Sequence, residues 1–196
     1  MTIYWARLEN RAVLKVTGAE CEDFLQNLVT QDVTRAQPQV AALLTPQGKL
    51  AFDFILQPVE EDFLIDCAAD SAEAFVKKLN LYKLRRDVEI AVTELPVQVV
   101  WSDPSDAQVP KIDSFFEDPR SARLGLRCLG ASPADLSDYT ASSAQIWAKF
   151  RLSLGVPEGP TEMPPGTIFP MEFGFERMGA IDFQKGCFVG QEVASR

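Results

Sequence analysis

The 196-residue sequence predicts an α+β fold, with mixed β-sheets and helices on their outer faces. Short runs alternate apolar with polar residues, as half-buried strands do, for example at 3–8 and 50–56. Three longer stretches, within 19–28, 70–82 and 142–154, place apolar residues on one helix face. Apolar residues make up 46% and charged residues 24%. That is ordinary for a globular chain and fits one large domain or two small interlocked ones.

Residues 3–8 and 12–16 alternate around Glu9-Asn10 and predict a β-hairpin, which Thr17-Gly18 ends. Cys21, Phe24, Leu25 and Leu28 then share a helix face. Residues 40–45 form a short apolar strand, and Pro46-Gln47-Gly48-Lys49 a turn. A strand over 50–56 returns through Glu60-Glu61-Asp62 into another at 63–67. Asp53 sits on the first of these between Phe52 and Phe54, so its carboxylate faces solvent or aims into a polar pocket. Asp70 or Ser71 caps a helix reaching Tyr82, with Ala72, Phe75, Val76 and Leu79 on its buried stripe. Five of the 19 basic residues follow within ten positions: Lys77, Lys78, Lys83, Arg85 and Arg86. Cations here complement the carbonyl end of the helix.

Residues 88–92 and 97–101 read as strands, and 102–120 as a long loop rich in Asp, Pro and Ser. A strand over 124–129 and a turn-rich stretch over 131–140 follow. Ile146, Trp147, Phe150 and Leu154 line one side of the last long helix. Trp147 and Phe150 either fill the core or wall a flat ring. Residues 179–183 read as a strand leading into 185–192.

A net charge of −9 argues against nucleic acid as a partner, because phosphate contacts need clustered cations. No histidine is present, which excludes a Ser-His-Asp triad, a Cys-His dyad and a His-ligated metal. Cys21, Cys67, Cys128 and Cys187 are scattered, with no C-x-x-C pair, so local spacing indicates neither a metal cradle nor a disulfide scaffold. Reduced thiols and a strand-like N-terminus point to a cytoplasmic location. No apolar run approaches a membrane span, so no membrane partner is expected.

The chemistry concentrates in Lys185-Gly186-Cys187-Phe188-Val189-Gly190-Gln191-Glu192. Two glycines bracket one thiol and permit a tight, uncovered turn. Lys185, two residues away, favours the thiolate. The alternative is a packing cysteine in a buried turn.

This stretch resembles the K-G-C-[FY]-x-G-Q-E signature of the YgfZ-type proteins, relatives of the glycine-cleavage T-protein that bind tetrahydrofolate and support iron–sulfur proteins. Four further stretches are similar to that family. They are Phe24-Leu25-Gln26 through Asp32-Val33, Thr45-Pro46 through Asp53, Tyr82-Lys83-Leu84-Arg85 through Val88, and Arg151 through Pro157-Glu158-Gly159. The resemblance implies the folate-binding region of the T-protein type. Residues 1–45 and 145–196 would form one sub-lobe, 46–144 a second, and a folate cavity would lie between them. The small C-terminal β-barrel of the family is absent from this sequence, which ends on Ala194-Ser195-Arg196.

The resemblance also implies roles. Cys187 is the reactive or ligating thiol, with Lys185, Gly186, Gly190, Gln191 and Glu192 around it. Asp53 occupies the place of the acid that assists chemistry at the folate. Arg85 and Arg86 form a cationic rim for the folate's glutamate tail, or else a solvated helix end. The T-protein carries a pterin-holding glutamate where this chain has Ser153, and a hydroxyl lacks the carboxylate's paired acceptors. Glu172, in a P-x-E element, holds the pterin in its place or simply caps a helix.

Three functions follow, in order of preference. The first is a tetrahydrofolate-binding accessory protein for iron–sulfur cluster assembly or repair, partnered by iron–sulfur enzymes or assembly proteins and not a conventional enzyme. The second is folate-dependent one-carbon transfer of the aminomethyltransferase kind. The third is an interaction module that binds no folate.

Overall fold

The computed structural model describes residues 1–105, 107–130 and 135–194; part of the 131–140 stretch and the terminal Ser195-Arg196 lie outside these. The strands are β1 (Thr2–Arg7), β2 (Arg11–Thr17), β3 (Gln39–Leu44), β4 (Leu50–Val59) and β5 (Asp62–Ala68), followed by β6 (Glu89–Val92), β7 (Val97–Asp103), β8 (Phe116–Glu117), β9 (Leu126–Leu129) and β10 (Thr140–Ala141). The α-helices are α1 (Cys21–Gln26), α2 (Ala72–Lys83), α3 (Ala144–Ser153) and α4 (Gln191–Ala194). The α+β class expected from the sequence is the one observed.

The strands form two sheets. The first runs β10-β1-β7-β9-β8 and is mixed, because β1 pairs parallel with β10 and antiparallel with β7. The second runs β3-β4-β5-β2-β6 and is antiparallel throughout. The hairpin expected of the first two strands does not form. β1 pairs with β7, and β2 with β5 and β6, so the Glu9-Asn10 corner carries the chain from one sheet to the other. Alternation says that a strand has a buried face; it does not say which strand lies alongside. Both sheets take strands from 1–45 and from 46–144, so the expected sub-lobes cut across the sheets.

The two-residue period sorts side chains between layers. On β2, Val13 faces the core between the sheets, while Leu14 and Val16 face α1 and α2. On β4, Phe52 and Phe54 pack on Phe75 of α2, with ring centroids 4.5 and 5.2 Å away. The core between the sheets gathers Ala42, Leu44, Leu64, Val99 and Trp101, and α3 closes it with Trp147. Behind the first sheet, Val100, Leu126 and Cys128 are covered by Ile112, Phe115 and Leu136. The 102–120 stretch therefore packs as a cover and contributes β8.

Helix starts differ in detail from expectation. A 3-10 turn over Ala69–Ser71 precedes α2, and the Ser71 hydroxyl donates to Asp70 at 3.1 Å instead of capping. Ser143 does cap α3, accepting from the Ile146 amide at 3.3 Å. Residues 179–183 form no strand. They are held by individual bonds to the 29–32 turn: Thr30 donates to the Ala180 carbonyl at 2.6 Å, and the Asp182 amide to the Thr30 carbonyl at 2.9 Å.

A chain of buried ion pairs crosses the core. Arg11 Nε donates to Asp66 Oδ1 at 2.6 Å, and the other Asp66 oxygen meets Arg127. Arg127 Nε reaches Asp118 at 3.1 Å, and Asp118 also takes two bonds from the Arg120 guanidinium, at 2.7 and 2.9 Å. Arg120 continues to Glu158, whose other oxygen lies 3.7 Å from both Arg11 and Arg151. Arg151 forks onto Glu162 at 2.6 and 2.8 Å. Burial would push the Asp118 carboxyl up, but Arg120 and Arg127 outweigh it and hold the value at about 2. Burial acts likewise on Glu158, and Arg11, Arg120 and Arg151 hold it well below the usual carboxylate range.

Arg127→Met leaves Asp66 and Asp118 each one partner short in a buried site. A loss of about 3–5 kcal/mol in urea unfolding is expected. Arg35→Met, which removes half-exposed pairs with Asp32 and Asp182, should cost under ~1 kcal/mol in the same assay.

Candidate functional site

Cys187 is exposed, whereas Cys21, Cys67 and Cys128 are buried. Burial raises the thiols of those three, Cys67 to about 12, so they resist ionisation. Of the four sulfurs, only Cys187 is offered to solvent.

The turn that carries it is clamped on both sides. Lys185 is two residues from the thiol in sequence, but the structure turns it inward. Its ammonium donates to the carbonyls of Val29 at 2.7 Å and Gln31 at 2.5 Å, and lies 5.5 Å from the Phe188 ring centroid. Burial lowers its pKa to about 8, against the pull of Asp32 and Asp182. Asp182 accepts from the amides of Gln184 and Lys185 at 2.7 and 3.1 Å, and pairs with Arg35. On the far side, Gly190 has φ +81° and lies against the β3–β4 turn. A Cβ there would sit 2.5 Å from the Thr45 carbonyl oxygen, so only glycine fits. Gly186 meets open space. The Gln191 amide donates to Phe188 at 3.3 Å as α4 begins, and Glu192 is exposed.

The remaining expected site residues are dispersed. Asp53 faces the core between the sheets, and both its oxygens accept from the Gly159 amide at 3.2 Å. Burial raises its carboxyl, with Arg11 and the Gly159 N–H pulling the other way. The hollow beside it, shared with Cys67, Pro160 and Met163, is about 10 Å³, room for roughly one water. Glu172 is exposed and accepts from the Phe169 amide at 2.9 Å, so it caps the 3-10 turn over Pro170–Phe173. It also borders an open hollow of about 560 Å³ lined by Leu152, Pro157, Met171, Phe173 and Arg177. Arg86 pairs with Asp23 of α1, and Arg85 is exposed beside it. Trp147 is buried in the core, its ring 5.2 Å from Trp101 and 5.8 Å from Phe150. The Ser153 hydroxyl is spent on the Phe150 carbonyl at 2.6 Å.

Sequence reasoning missed most of the ion network. Arg151 and Glu158 stood in a recognised stretch; Arg11, Asp66, Asp118, Arg120 and Arg127 did not. Their one local signal is register: Arg11 shares a face with Val13, and Arg127 with Leu129.

No protein-family profile matches the chain. The mitochondrial iron–sulfur cluster assembly factor IBA57 of Mus musculus is 31% identical over 218 aligned residues, covering 97% of this chain and 61% of that protein. Its Homo sapiens counterpart is 31% identical over 223, covering 98% and 62%. The chain is similar to iron–sulfur cluster assembly factors. It spans about three fifths of the length of these curated relatives. The solved glycine cleavage system aminomethyltransferase T from Bartonella henselae superposes with a TM-score of 0.70 at 12% identity, over 99% of this chain and 62% of that one. The aminomethyltransferase-like fold is thereby established. The expected cytoplasmic location is overturned, because these named relatives are mitochondrial proteins. Among the described residues no helix is long and apolar enough to cross a membrane.

Lys185 supplies a pH test. A base whose folded pKa lies below its unfolded value makes stability rise with pH between the two, since the unfolded chain then holds more protons. The parent protein should gain on Lys185→Met as pH climbs from about 8 towards 10.5. Urea midpoints of the two proteins across that range check this; a gap independent of pH contradicts it.

Proposed function

We propose that this chain is an accessory factor for the assembly or repair of iron–sulfur clusters, acting through Cys187, and that it binds a tetrahydrofolate. The exposure of Cys187 on a clamped turn carries the reading. A thiolate is the species that ligates iron or attacks an electrophile. One thiol gives one ligand, so the cluster is cargo whose remaining ligands belong to a partner. The clamps suit such a shared ligand, since they fix the backbone on either side of the sulfur and leave the sulfur uncovered. The similarity to assembly factors over nearly the whole chain supports the same reading.

In this reading the hollow beside Glu172 holds the folate. Its volume lies in the range of small-molecule sites. Met171, Phe173 and Leu152 supply apolar walls for a flat ring, and Glu172 supplies the charged acceptor that Ser153 does not. Arg177 supplies a cation for a carboxylate. A bound folate would supply one-carbon chemistry; the residues here bind and orient it. One-carbon transfer at Asp53 is the less favoured reading, because its carboxylate is occupied by Gly159 and its hollow admits about one water.

Cys187→Ser should leave the thermal midpoint unchanged and abolish support of iron–sulfur enzymes in a strain lacking the protein. Full support by that variant sinks the thiol role.

Tetrahydrofolate titrated calorimetrically should bind the parent protein, and Glu172→Gln, which keeps the cap, should weaken it about tenfold or more, the worth of one charge-assisted bond. Equal affinities would remove Glu172 from the site.

A further inference from the structure

The C-terminal end of α2 carries a feature that the proposed function leaves unused. The Arg86 amide donates to the Lys83 carbonyl at 3.1 Å, which closes a turn over residues 83–86. Leu84, its second residue, has φ +54° and ψ −110°. Those angles belong to the first central position of a type II′ turn, where glycine is the usual residue. A branched side chain there is strained. Strain of this kind persists when packing holds the residue in place, yet Leu84 is 85% exposed. Leu81, one turn earlier, is 71% exposed. The fold therefore projects two leucines into solvent and accepts a disfavoured backbone in doing so.

Cations neighbour them along the chain. Lys77 lies four residues before Leu81 on the same helix face, and Lys83 and Arg85 flank Leu84. Lys78 is turned to the Tyr82 ring, 5.3 Å away, and Arg86 to Asp23, so Lys77, Lys83 and Arg85 are the charges left at the patch. Glu73 and Asp87 bound it at either end.

We propose that this patch is a docking surface for an acidic segment of a partner protein that presents apolar side chains between its carboxylates. The charge of the whole molecule distinguishes this occupant from a lipid surface. At −9, the chain as a whole is repelled by an extended anionic membrane. A short acidic segment meets only the local cations, because opposing charges further off are screened beyond roughly 8 Å at physiological salt. The leucines anchor and the cations orient, the division of labour usual at interfaces.

The test places a photo-cross-linking p-benzoylphenylalanine at position 81 of the full chain, in cells that make the protein, and identifies adduct peptides by mass spectrometry. Adducts on one discrete partner segment rich in Asp or Glu and apolar residues are expected. Leu84→Gly in that background should cut them at least fivefold, and so should Lys77→Glu with Arg85→Glu. Leu84→Gly alone should keep or raise the thermal midpoint, since glycine relieves the turn. Lipid adducts, a second copy of this chain, a neutral or basic segment, no adduct at all, or adducts indifferent to Leu84→Gly would each overturn the proposal. A lowered midpoint for Leu84→Gly would do so too, by showing that the leucine serves the fold.

Discussion

The structure rests on buried charge held in balance. Four guanidiniums, of Arg11, Arg120, Arg127 and Arg151, meet four carboxylates, of Asp66, Asp118, Glu158 and Glu162, in one continuous chain of contacts. Removing any ion from water costs several kcal/mol, and proximity of an opposite charge offsets that only with good geometry. Here most members are shared: Asp66 lies between Arg11 and Arg127, Asp118 between Arg120 and Arg127, and Glu158 among Arg11, Arg120 and Arg151. Arginine suits these places because its planar fork meets two acceptors at once and stays charged when buried. The contacts join elements that apolar packing alone would leave free to slide. Arg11 and Asp66 belong to the second sheet, Arg127 to the first, Arg151 to α3, and Glu158 and Glu162 to the segment after it. Dispersion and burial bring the two sheets together; the ion chain fixes their register.

The expected fold was legible where local pattern decides it. The β4–β5 pair announces itself through alternation and the polar Glu60-Glu61 corner, and α2 through its apolar stripe; α3 was legible through Trp147 and Phe150, although Ile146, expected on the same side, is exposed. Pairing of distant strands was not legible. Nothing within residues 1–17 says that β1 lies beside β7, ninety residues on, and that Glu9-Asn10 is a crossing between sheets. The 179–183 stretch failed for another reason. Ala180 and Ile181 are buried while Phe183 is exposed, and the backbone is satisfied by Thr30 and by the 29–32 turn, partners that periodicity cannot see.

At the candidate site, composition revealed the sulfur and concealed its setting. Glycines on both sides of Cys187 announced an unusual turn, and the thiol is indeed exposed. The role of Lys185 was less visible, because a lysine two residues from a thiol reads as its electrostatic partner. Only the fold shows that the carbonyls of Val29 and Gln31 accept its hydrogen bonds. Asp53 illustrates the same limit. Its place between two phenylalanines on an alternating strand left open a pocket or solvent. The structure chooses neither simply: it turns the carboxylate to the Gly159 amide, beside a hollow the size of a water.

These two findings connect through the segment that follows α3. Glu158 is held by three arginines, and Glu162 by Arg151 and by the Glu158 amide at 2.8 Å. A Cβ on Gly159, which lies between them, would sit 2.3 Å from Asp53 Oδ1, so a side chain there requires that carboxylate to move. A few residues on, the Gly166 amide donates to the Leu50 carbonyl at 2.7 Å and the Leu50 amide to Ile168 at 2.9 Å, which ties the segment to the start of β4. That strand begins at the β3–β4 turn against which Gly190 closes. Rigidity thus passes from the ion chain to β4, and from the turn before β4 to the backbone around Cys187. The ligand sharing proposed for Cys187 would benefit from such support, because the ordering cost of its own backbone is met during folding and not again at each encounter.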